Sequence, residues 1–158
     1  MSSSKPIHER FPPLNLKPSQ LKLRRKEGVL EVFDSFRKKW LVLNPEEWVR
    51  QQLCHALIRD FGFPSGGMQL EAGLEVGLGK FRTDLVVFHK RNPIILIECK
   101  APDVPLSHET LDQASRYNLK LGVEHLLISN GIQHIHFRKQ GEAWEEKFEI
   151  PDFQSLIS

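Results

Sequence analysis

Apolar and polar residues alternate in two short segments near the start of the chain. LKLRRK (residues 21–26) and VLEVFD (residues 29–34) flank the glycine-containing stretch Lys26-Glu27-Gly28. Alternation around such a stretch is typical of a β-hairpin. The pattern continues into FRKKWLVL, so a further strand is expected near Lys39–Leu43.

A helical pattern follows in NPEEWVRQQLCHALIRDFGF, residues 44–63. Asn44 is a favoured N-cap residue, and Pro45 suits the first helical position. Apolar residues then recur at helical spacing in Val49, Leu53 and Leu57. This spacing predicts a helix that Gly62 ends. A second helix is predicted between Ser107 and Gly122.

Runs of branched apolar residues predict the remaining strands. They are LEAGLEVGLGKFRTDLVVF (70–88), NPIILIECKAP (92–102), HLLISN (125–130) and IQHIHFRK (132–139). The tail, with Trp144, Phe148 and Ile150, is expected to cover the core. Strands that alternate with helices in this order predict a single α/β domain.

Length and composition narrow the class of protein. With 158 residues, of which 40% are hydrophobic and 27% charged, the chain fits one globular domain at residues 20–158. Residues 1–19 are rich in Ser, Pro and Lys and are expected to form a flexible arm. No apolar run is long enough for a membrane span, and a cytoplasmic location is expected. The net charge of +2 means that a nucleic-acid partner would need a local basic patch such as LKLRRK or FRKKW.

Three charged residues stand inside the apolar segment KFRTDLVVFHKRNPIILIECKAP, residues 80–102. They are Asp84, Glu98 and Lys100. If the two strands pair antiparallel about a turn near residue 91, Asp84 faces Glu98 and Arg82 faces Lys100. Alternate residues share a face, so the three charges converge. A slip of one residue would scatter them over both faces.

Two facing carboxylates need a compensating charge, because burial of an unpaired charge is costly. Mg²⁺ is bound through one or two carboxylates, waters and substrate phosphates. Lys100 beside such an ion can orient or help deprotonate a water, an arrangement that suits phosphodiester hydrolysis. A structural bridge between Lys100 and the carboxylates is the alternative that the spacing alone leaves open.

The arrangement of Asp84 and Glu98-Cys99-Lys100 resembles the PD-(D/E)xK nuclease superfamily, with Thr83 in place of the superfamily's Pro. Four motifs in order are similar to the N-terminal nuclease domain of type I restriction enzyme R (translocating) subunits, above all to its small stand-alone bacterial form. They are LNPEEWVRQQL, RTDLVVF, LIECKAPDVPLS and LDQASRYN. The resemblance covers roughly residues 20–140. It implies a restriction-endonuclease-like fold, a mixed sheet flanked by helices, here with an extra N-terminal β-hairpin.

The resemblance also implies roles for individual residues. Asp84 and Glu98 would be metal ligands, with the backbone carbonyl of Cys99 as another, and Lys100 would be the catalytic lysine. The superfamily's first-helix glutamate falls on Glu46 or Glu47.

Helix geometry favours Glu46 of these two glutamates. Glu46 shares a face with Val49 and Leu53. Glu47 shares its face with Arg50, Gln51 and Cys54, a set expected to be more exposed.

The family's Q-x-x-x-Y signature is met by Gln113 and Tyr117. The two lie at i and i+4 and therefore project from one side of the second helix. Gln113 would position a metal-bound water or a phosphate, and Tyr117 would contact the nucleic-acid backbone. Arg50 and Arg82 are candidates for phosphate contacts, or equally for bridges to the acids.

The function that these residues imply is Mg²⁺-dependent cleavage of DNA, with Mn²⁺ expected to substitute. No ATP use is expected: Gly73 to Gly79 is one residue too long for a phosphate loop, and Phe81 stands where Ser or Thr is needed. The translocase of R subunits is likewise not expected. A non-catalytic module that binds nucleic acid or protein is the alternative, RNA is an alternative substrate, and a homodimer or a targeting partner stays open.

Two further sets of residues have plainer interpretations. His134 and His136 share a strand face, but without an obvious third ligand they are expected to form a polar face and not a metal site. Cys99 is expected to point into the core as an unreactive thiol.

Overall fold

Two β-sheets enclose one long helix in this protein. The computed structural model describes residues 11–76 and 79–158, and the side chains of these residues except 71–83, 114 and 116–121. No helix in this described part of the chain has both the length and the apolar character that a membrane span needs.

The smaller sheet is the predicted N-terminal hairpin with its third strand. It contains β1 (Leu23–Lys26), β2 (Val29–Asp34) and β3 (Lys39–Val42), all antiparallel and in that order. Glu27 and Gly28 form the first turn with φ of 52° and 80°. Two positive φ values are typical of the tight turns that join twisted strands.

Helix α1 (Pro45–Phe61) follows directly. Its N-cap is Asn44, whose side chain accepts a hydrogen bond of 2.7 Å from the Glu47 N–H. Gly62, with φ of 72°, ends the helix in the left-handed conformation that glycine adopts most easily. Both predicted helix boundaries are confirmed.

The larger sheet has six strands in chain order. They are β4 (Met68–Val76), β5 (Gly79–His89), β6 (Asn92–Cys99), β7 (His125–Ser129), β8 (His134–Gln140) and β9 (Ala143–Lys147). A 3₁₀ turn at Ser65–Gly67 precedes β4. Neighbouring strands are antiparallel except β6 and β7, which are parallel and joined by the crossover helix α2 (His108–Leu121). The predicted mixed sheet flanked by helices is thus confirmed.

The two faces of the larger sheet pack against different helices. Odd-numbered side chains of β5 and β6, such as Leu85 and Ile97, lie in one apolar cluster with Val49 and Leu53 of α1. Even-numbered ones, such as Leu96, lie in a second cluster that Leu111 of α2 contacts. The strands are therefore buried on both faces, which explains their continuous apolar runs.

The side of α1 that the sequence predicts to be exposed is instead buried. Arg50, Gln51 and Cys54 are 8%, 0% and 1% exposed. The small sheet covers Gln51, which donates a hydrogen bond to Asp34 at the end of β2, whereas Cys54 lies in the apolar cluster of the larger sheet. The prediction failed because helical periodicity shows one apolar stripe and cannot show that a second sheet packs on the opposite side.

Residues 11–19, which the sequence places in the arm, lie against the folded part of the chain. Phe11 is 6% exposed and contacts the ring of Trp48 at 5.6 Å between centroids. The Asn15 N–H donates to the carbonyl of Gly131, and the Ser19 N–H donates to the side chain of Gln52, both at 2.8 Å. Residues 1–10 of the predicted arm lie outside the described residues.

The C-terminal tail covers the core only in part as predicted. Trp144 on β9 and Ile150 pack against the two apolar clusters, but Phe148 is 73% exposed. The buried anchors are Phe153 and Leu156 of the short helix α3 (Phe153–Ile157). Strand β9 and α3 are too short and too polar for the sequence pattern to predict them.

Candidate active site

The β5–β6 hairpin has the register that the sequence predicts at the candidate site. Leu85 pairs with Ile97, Val86 with Leu96 and Val87 with Ile95, and the same register continued by one residue would place Asp84 opposite Glu98. The turn itself differs from the prediction, because it is formed by two residues, Lys90 and Arg91, and His89 pairs with Asn92.

A bulge reconciles the turn with the register. Phe88 pairs with Pro93 and Val87 pairs with Ile95, so Ile94 has no partner across the hairpin. An extra residue on one strand is the defining feature of a β-bulge. This one restores the register that, continued by one residue, would place Asp84 opposite Glu98.

Asp84 is held by two donors at the end of this ladder. One carboxylate oxygen accepts a hydrogen bond of 2.7 Å from the backbone N–H of Cys99. The other lies 2.5 Å from the Arg50 guanidinium, which reaches across from α1. Of the two roles that the sequence left open for Arg50, the structure shows the bridge to the acids.

Arg50 is buried among carboxylates. Besides Asp84 it forms an ion pair with Glu47, and its distance to Glu46 is 3.9 Å. Burial opposes its charge, but the carboxylates of Asp84 and Glu47 outweigh this effect and raise the pKa of Arg50 above its usual value. Arg50 therefore stays charged and is a fixed cation beside Asp84.

Glu46 and Glu47 occupy opposite environments. Glu47 is 5% exposed and accepts hydrogen bonds from Arg37 and Gln51, at 3.1 and 2.9 Å. The expectation that Glu47 is the more exposed glutamate is therefore wrong, again because the small sheet covers it. Its environment is that of a structural ion pair.

Glu46 faces the candidate site. Partial burial raises the pKa of its carboxyl, and the charge of Asp84 raises it further, while Arg50 and Lys100 oppose this rise. Arg50 lies 3.9 Å from Glu46 and 2.5 Å from Asp84, so the two carboxylates are neighbours. The reason given for preferring Glu46 is wrong, because its side chain is 46% exposed and does not lie on a buried face, and its role as a metal ligand stays a prediction.

Lys100 and Glu98 lie on either side of the β6 terminus. Glu98 is the penultimate residue of β6 and is half-buried. Lys100 follows the strand, and its N–H donates a hydrogen bond of 2.8 Å to the carbonyl of Ser129. The ladder between β6 and β7 therefore fixes the backbone from which Lys100 projects.

The remaining predicted residues are only partly described. Gln113 lies on α2, as predicted, and is exposed. Tyr117 is also on α2, and Arg82 pairs with Gly73 in the β4–β5 ladder, but both side chains lie outside the described residues. Their predicted roles in substrate binding stay predictions.

The histidines and Cys99 have the plainer roles that the sequence favours. His134 contacts the Ser129 hydroxyl and the Asn15 carbonyl, and His136 contacts His125 at 2.9 Å. Cys99 is 1% exposed in the core facing α1, and burial raises the pKa of its thiol well above the usual value. A thiol kept protonated in this way is a poor nucleophile.

Asp34 and Arg37 support the candidate site indirectly, through Glu47, and sequence reasoning missed both. Arg37, in the turn between β2 and β3, donates hydrogen bonds to Asp34 and to Glu47. Glu47 in turn forms an ion pair with Arg50, so this turn positions Arg50 indirectly. A signal was present, since an acid and an arginine three positions apart flanked a predicted turn. Nothing in the sequence indicates that this turn docks on α1.

The chemistry of the donor set fits Mg²⁺. Asp84, Glu98 and Glu46 offer hard carboxylate oxygens, and the repulsion between Glu46 and Asp84 is of the kind that a divalent cation relieves. Among the described side chains, no three from His, Cys, Asp and Glu are gathered closely enough to hold a metal ion. Mg²⁺ requires only one or two carboxylates, because water and phosphate complete its shell.

Comparison with known proteins connects this site to a family. A family profile described as the type I restriction enzyme R protein N terminus (HSDR_N) matches residues 45–151, more than half of the chain. The chain belongs to this family. The matched part of this R-protein N-terminal chain contains Glu46, Asp84, Glu98 and Lys100.

A solved structure supports the fold of this R-protein N-terminal chain. It is a fragment described as an HsdR subunit of a type I restriction enzyme from Vibrio vulnificus YJ016, with a TM-score of 0.52 and 17% identity. The match covers 68% of this chain and 24% of the other, so the R-protein N-terminal chain spans about a quarter of that relative. At this identity the likeness shows the fold alone. No curated protein matches the chain.

Proposed function

We propose that this protein is a metal-dependent DNA endonuclease that hydrolyses phosphodiester bonds. The observation that carries the proposal is the meeting of charged groups from three elements. One nitrogen of the Arg50 guanidinium lies 2.5 Å from Asp84 on β5 and 3.9 Å from Glu46 at the start of α1, so these two carboxylates are neighbours. Lys100 follows β6, and the register of the hairpin, continued by one residue, would add Glu98 opposite Asp84.

Each of these side chains would have a distinct task. Asp84 is oriented by the Cys99 N–H and by Arg50. Asp84 with one of Glu98 and Glu46 would hold Mg²⁺ or Mn²⁺, and the Cys99 carbonyl, water and the substrate phosphate would be the further ligands. The ion, when bound, would supply Lewis-acid stabilisation of the phosphate and a more acidic water. Lys100 would orient that water or accept its proton.

Arg50 would change partners during substrate binding. It is held by both Asp84 and Glu47, so it keeps a partner in Glu47 when Asp84 turns to a metal. Its guanidinium is then placed to contact the substrate phosphate, for which the planar fork of arginine is suited. Gln113 and Tyr117 on α2 would complete the contacts to DNA, with no need for ATP.

The test of this function is a cleavage assay with two substitutions. Asp84→Asn keeps the size of the side chain and its hydrogen bond to Cys99 but removes the charge. Lys100→Ala removes the amine beside the proposed water. Each should lower the rate of plasmid nicking in Mg²⁺ or Mn²⁺ by at least about 100-fold, the usual range for loss of an acid–base group.

Lys139→Ala is the matched control, because Lys139 is exposed on β8 and its loss changes the net charge as Lys100→Ala does. Circular dichroism should show that all three variants are folded. Cleavage at the wild-type rate by either site variant would refute the assignment.

One observation favours a second candidate, a non-catalytic module that binds nucleic acid or protein. The ion pair between Arg50 and Asp84 neutralises a proposed metal ligand without any metal. Calorimetry with Mn²⁺ separates the two functions. The nuclease requires Mn²⁺ binding that Asp84→Ala weakens, whereas the module predicts no binding, or binding that Asp84→Ala leaves unchanged.

A further inference from the structure

Positive charge is concentrated in the small sheet. Residues 22–43, which contain β1 to β3, carry seven Lys or Arg against three Asp or Glu, a net charge of +4. Residues 44–158, which contain the candidate active site, carry twelve against sixteen, a net charge of −4. A polyanion is repelled by the second part and attracted by the first.

The small sheet has one covered face and one open face. Leu30 and Val32 point inward, where they pack with Trp48 of α1. The opposite face, here called the outer face, carries Lys22, Arg24, Lys26, Glu31, Phe33, Trp40 and Val42. Among the described residues, the ion pair and the cation–ring contacts of Lys22 and Arg24 all join them to other residues of this outer face.

Aromatic rings on the outer face hold its cations in place. Phe33 and Trp40 pair across β2 and β3, with ring centroids 5.4 Å apart. The Arg24 guanidinium lies 4.1 Å from the Trp40 centroid, and the Lys22 ammonium lies 5.4 Å from the Phe33 centroid. Cations fixed over aromatic rings lose less conformational entropy when they bind a phosphate.

Exposed apolar residues are part of the same surface. Val29 and Val42 are 46% and 57% exposed, at positions that flank Arg24 and Lys26. Glu31, the acid of the outer face, is bridged to Arg24 at 2.8 Å. Lys22 and Lys26 are exposed and stay available to a partner.

We infer that the outer face of the small sheet binds the phosphate backbone of double-stranded DNA. The inference rests on the proposed function, since it supplies the acidic catalytic part with the surface that captures its substrate. The surface is linked to the site through α1, because Arg37 after β2 contacts Glu47, which contacts Arg50. Trp40 and Phe33 act as positioning residues for the cations and not as stacking partners for bases.

The first test counts the phosphate contacts. Binding of a labelled DNA duplex is measured by fluorescence anisotropy in EDTA, over a series of salt concentrations, for wild type and for the triple variant Lys22→Gln/Arg24→Gln/Lys26→Gln. Each lost phosphate contact should make the slope of log K against log salt shallower by about 0.9. The triple variant should therefore lose roughly 2 to 3 from the slope and at least about tenfold in affinity.

The second test separates the rings from the charges. Trp40→Leu keeps every cation but removes the ring under Arg24, so affinity should fall several-fold while the salt slope stays unchanged. The matched control is Trp144→Leu, because Lys139 lies 5.9 Å from the Trp144 centroid on the edge strand β9 of the larger sheet. This control should leave both affinity and slope unchanged. A Trp40→Phe variant should recover most of the affinity.

The outcomes distinguish this inference from the proposed function. If the triple variant binds DNA with wild-type affinity and slope, the inference is wrong and the outer face serves another partner, such as an acidic protein. If the variants behave as expected but wild type cleaves no DNA with any divalent metal, the inference stands and the nuclease proposal fails. If wild type binds no DNA, the inference is wrong whatever the cleavage assay shows.

Discussion

Glu46 and Glu47 are adjacent in sequence, but the first faces solvent and the candidate site while the second faces buried arginine. Glu46 is coupled to Asp84 and Lys100, whereas Glu47 contacts Arg37, Arg50 and Gln51. A single helical step of about 100° is enough to separate a proposed ligand from a structural anchor.

These surroundings predict opposite effects of the same substitution. Glu46→Gln should lower the cleavage rate at least about tenfold and leave the unfolding midpoint in urea nearly unchanged, because the side chain is half exposed. Glu47→Gln should lower the free energy of unfolding by about 2 kcal/mol, because it removes one of the two carboxylates that neutralise each of the arginines Arg37 and Arg50.

Urea denaturation and a plasmid assay on both variants check this pair. A Glu46→Gln enzyme with full activity would remove Glu46 from the site, and a Glu47→Gln protein of wild-type stability would contradict the proposed anchor.

At the residue scale, only part of the candidate site could be predicted from the sequence. The register next to Asp84 and Glu98 was predictable, since a tight hairpin leaves few registers, although a bulge at Ile94 and not the predicted turn produces it. The burial of Arg50, Gln51 and Glu47 was not, because it depends on which surface of the small sheet meets α1. That docking is a tertiary event, and local periodicity does not report it.

At the scale of the element, the β5–β6 hairpin uses a strained turn. Lys90 and Arg91 have φ of 50° and 67°, a conformation that disfavours residues other than Gly and Asn. The preference of other side chains for negative φ therefore opposes this turn, and the paired strands on either side outweigh it.

Relief of this strain should stabilise the protein. Lys90→Asn/Arg91→Gly matches the turn and is expected to raise the free energy of unfolding by about 1 kcal/mol, as measured by urea denaturation. Arg138→Gly, at an exposed position within β8, is the control and should lower it by about 0.5–1 kcal/mol. A destabilised turn variant would mean that Lys90 or Arg91 makes a contact that outweighs its backbone strain.

Elements with strong local signals were predictable, and those with weak signals were not. Helix α1 has an Asn cap, a Pro at its first turn and a Gly at its end, so its bounds followed from the sequence. Strand β9 carries three consecutive charged residues and only Trp144 as a packed residue, and it forms because it pairs with β8. The bulge at Ile94 could not be predicted from the sequence, because any apolar residue can occupy such a position.

At the scale of the whole molecule, buried histidines link stability to pH. Burial lowers the pKa of His55, His125 and His134, and burial with neighbouring His125 lowers the pKa of His136 to about 4. The unfolded chain, with histidine pKa values near 6.5, binds these protons more readily than the folded one. Folding is therefore favoured most at pH values above 6.5.

Stability should decrease as the pH falls from about 6.5 to 4. His136 alone accounts for a loss on the order of 2–3 kcal/mol over this range, and urea midpoints at a series of pH values measure it. In the double variant His125→Phe/His136→Phe the dependence should be distinctly weaker, whereas His108→Phe, an exposed position, should leave it as in wild type. Equal pH dependence in the double variant and wild type would contradict this origin.

The way α1 is enclosed has a consequence for the limits of the folding unit. The region shared with the family starts at residue 45. However, Glu47 accepts a hydrogen bond from Arg37 and Gln51 donates one to Asp34, both of which precede that region. Trp48 is likewise covered by residues before β1 and in β3. In a chain trimmed to residues 45–151, the Gln51 amide, the Trp48 indole and the Glu47 carboxylate would be exposed to water without the groups that contact them here. The first three strands thus form half of the surroundings of α1, and the piece of this protein that folds on its own is expected to begin before residue 45.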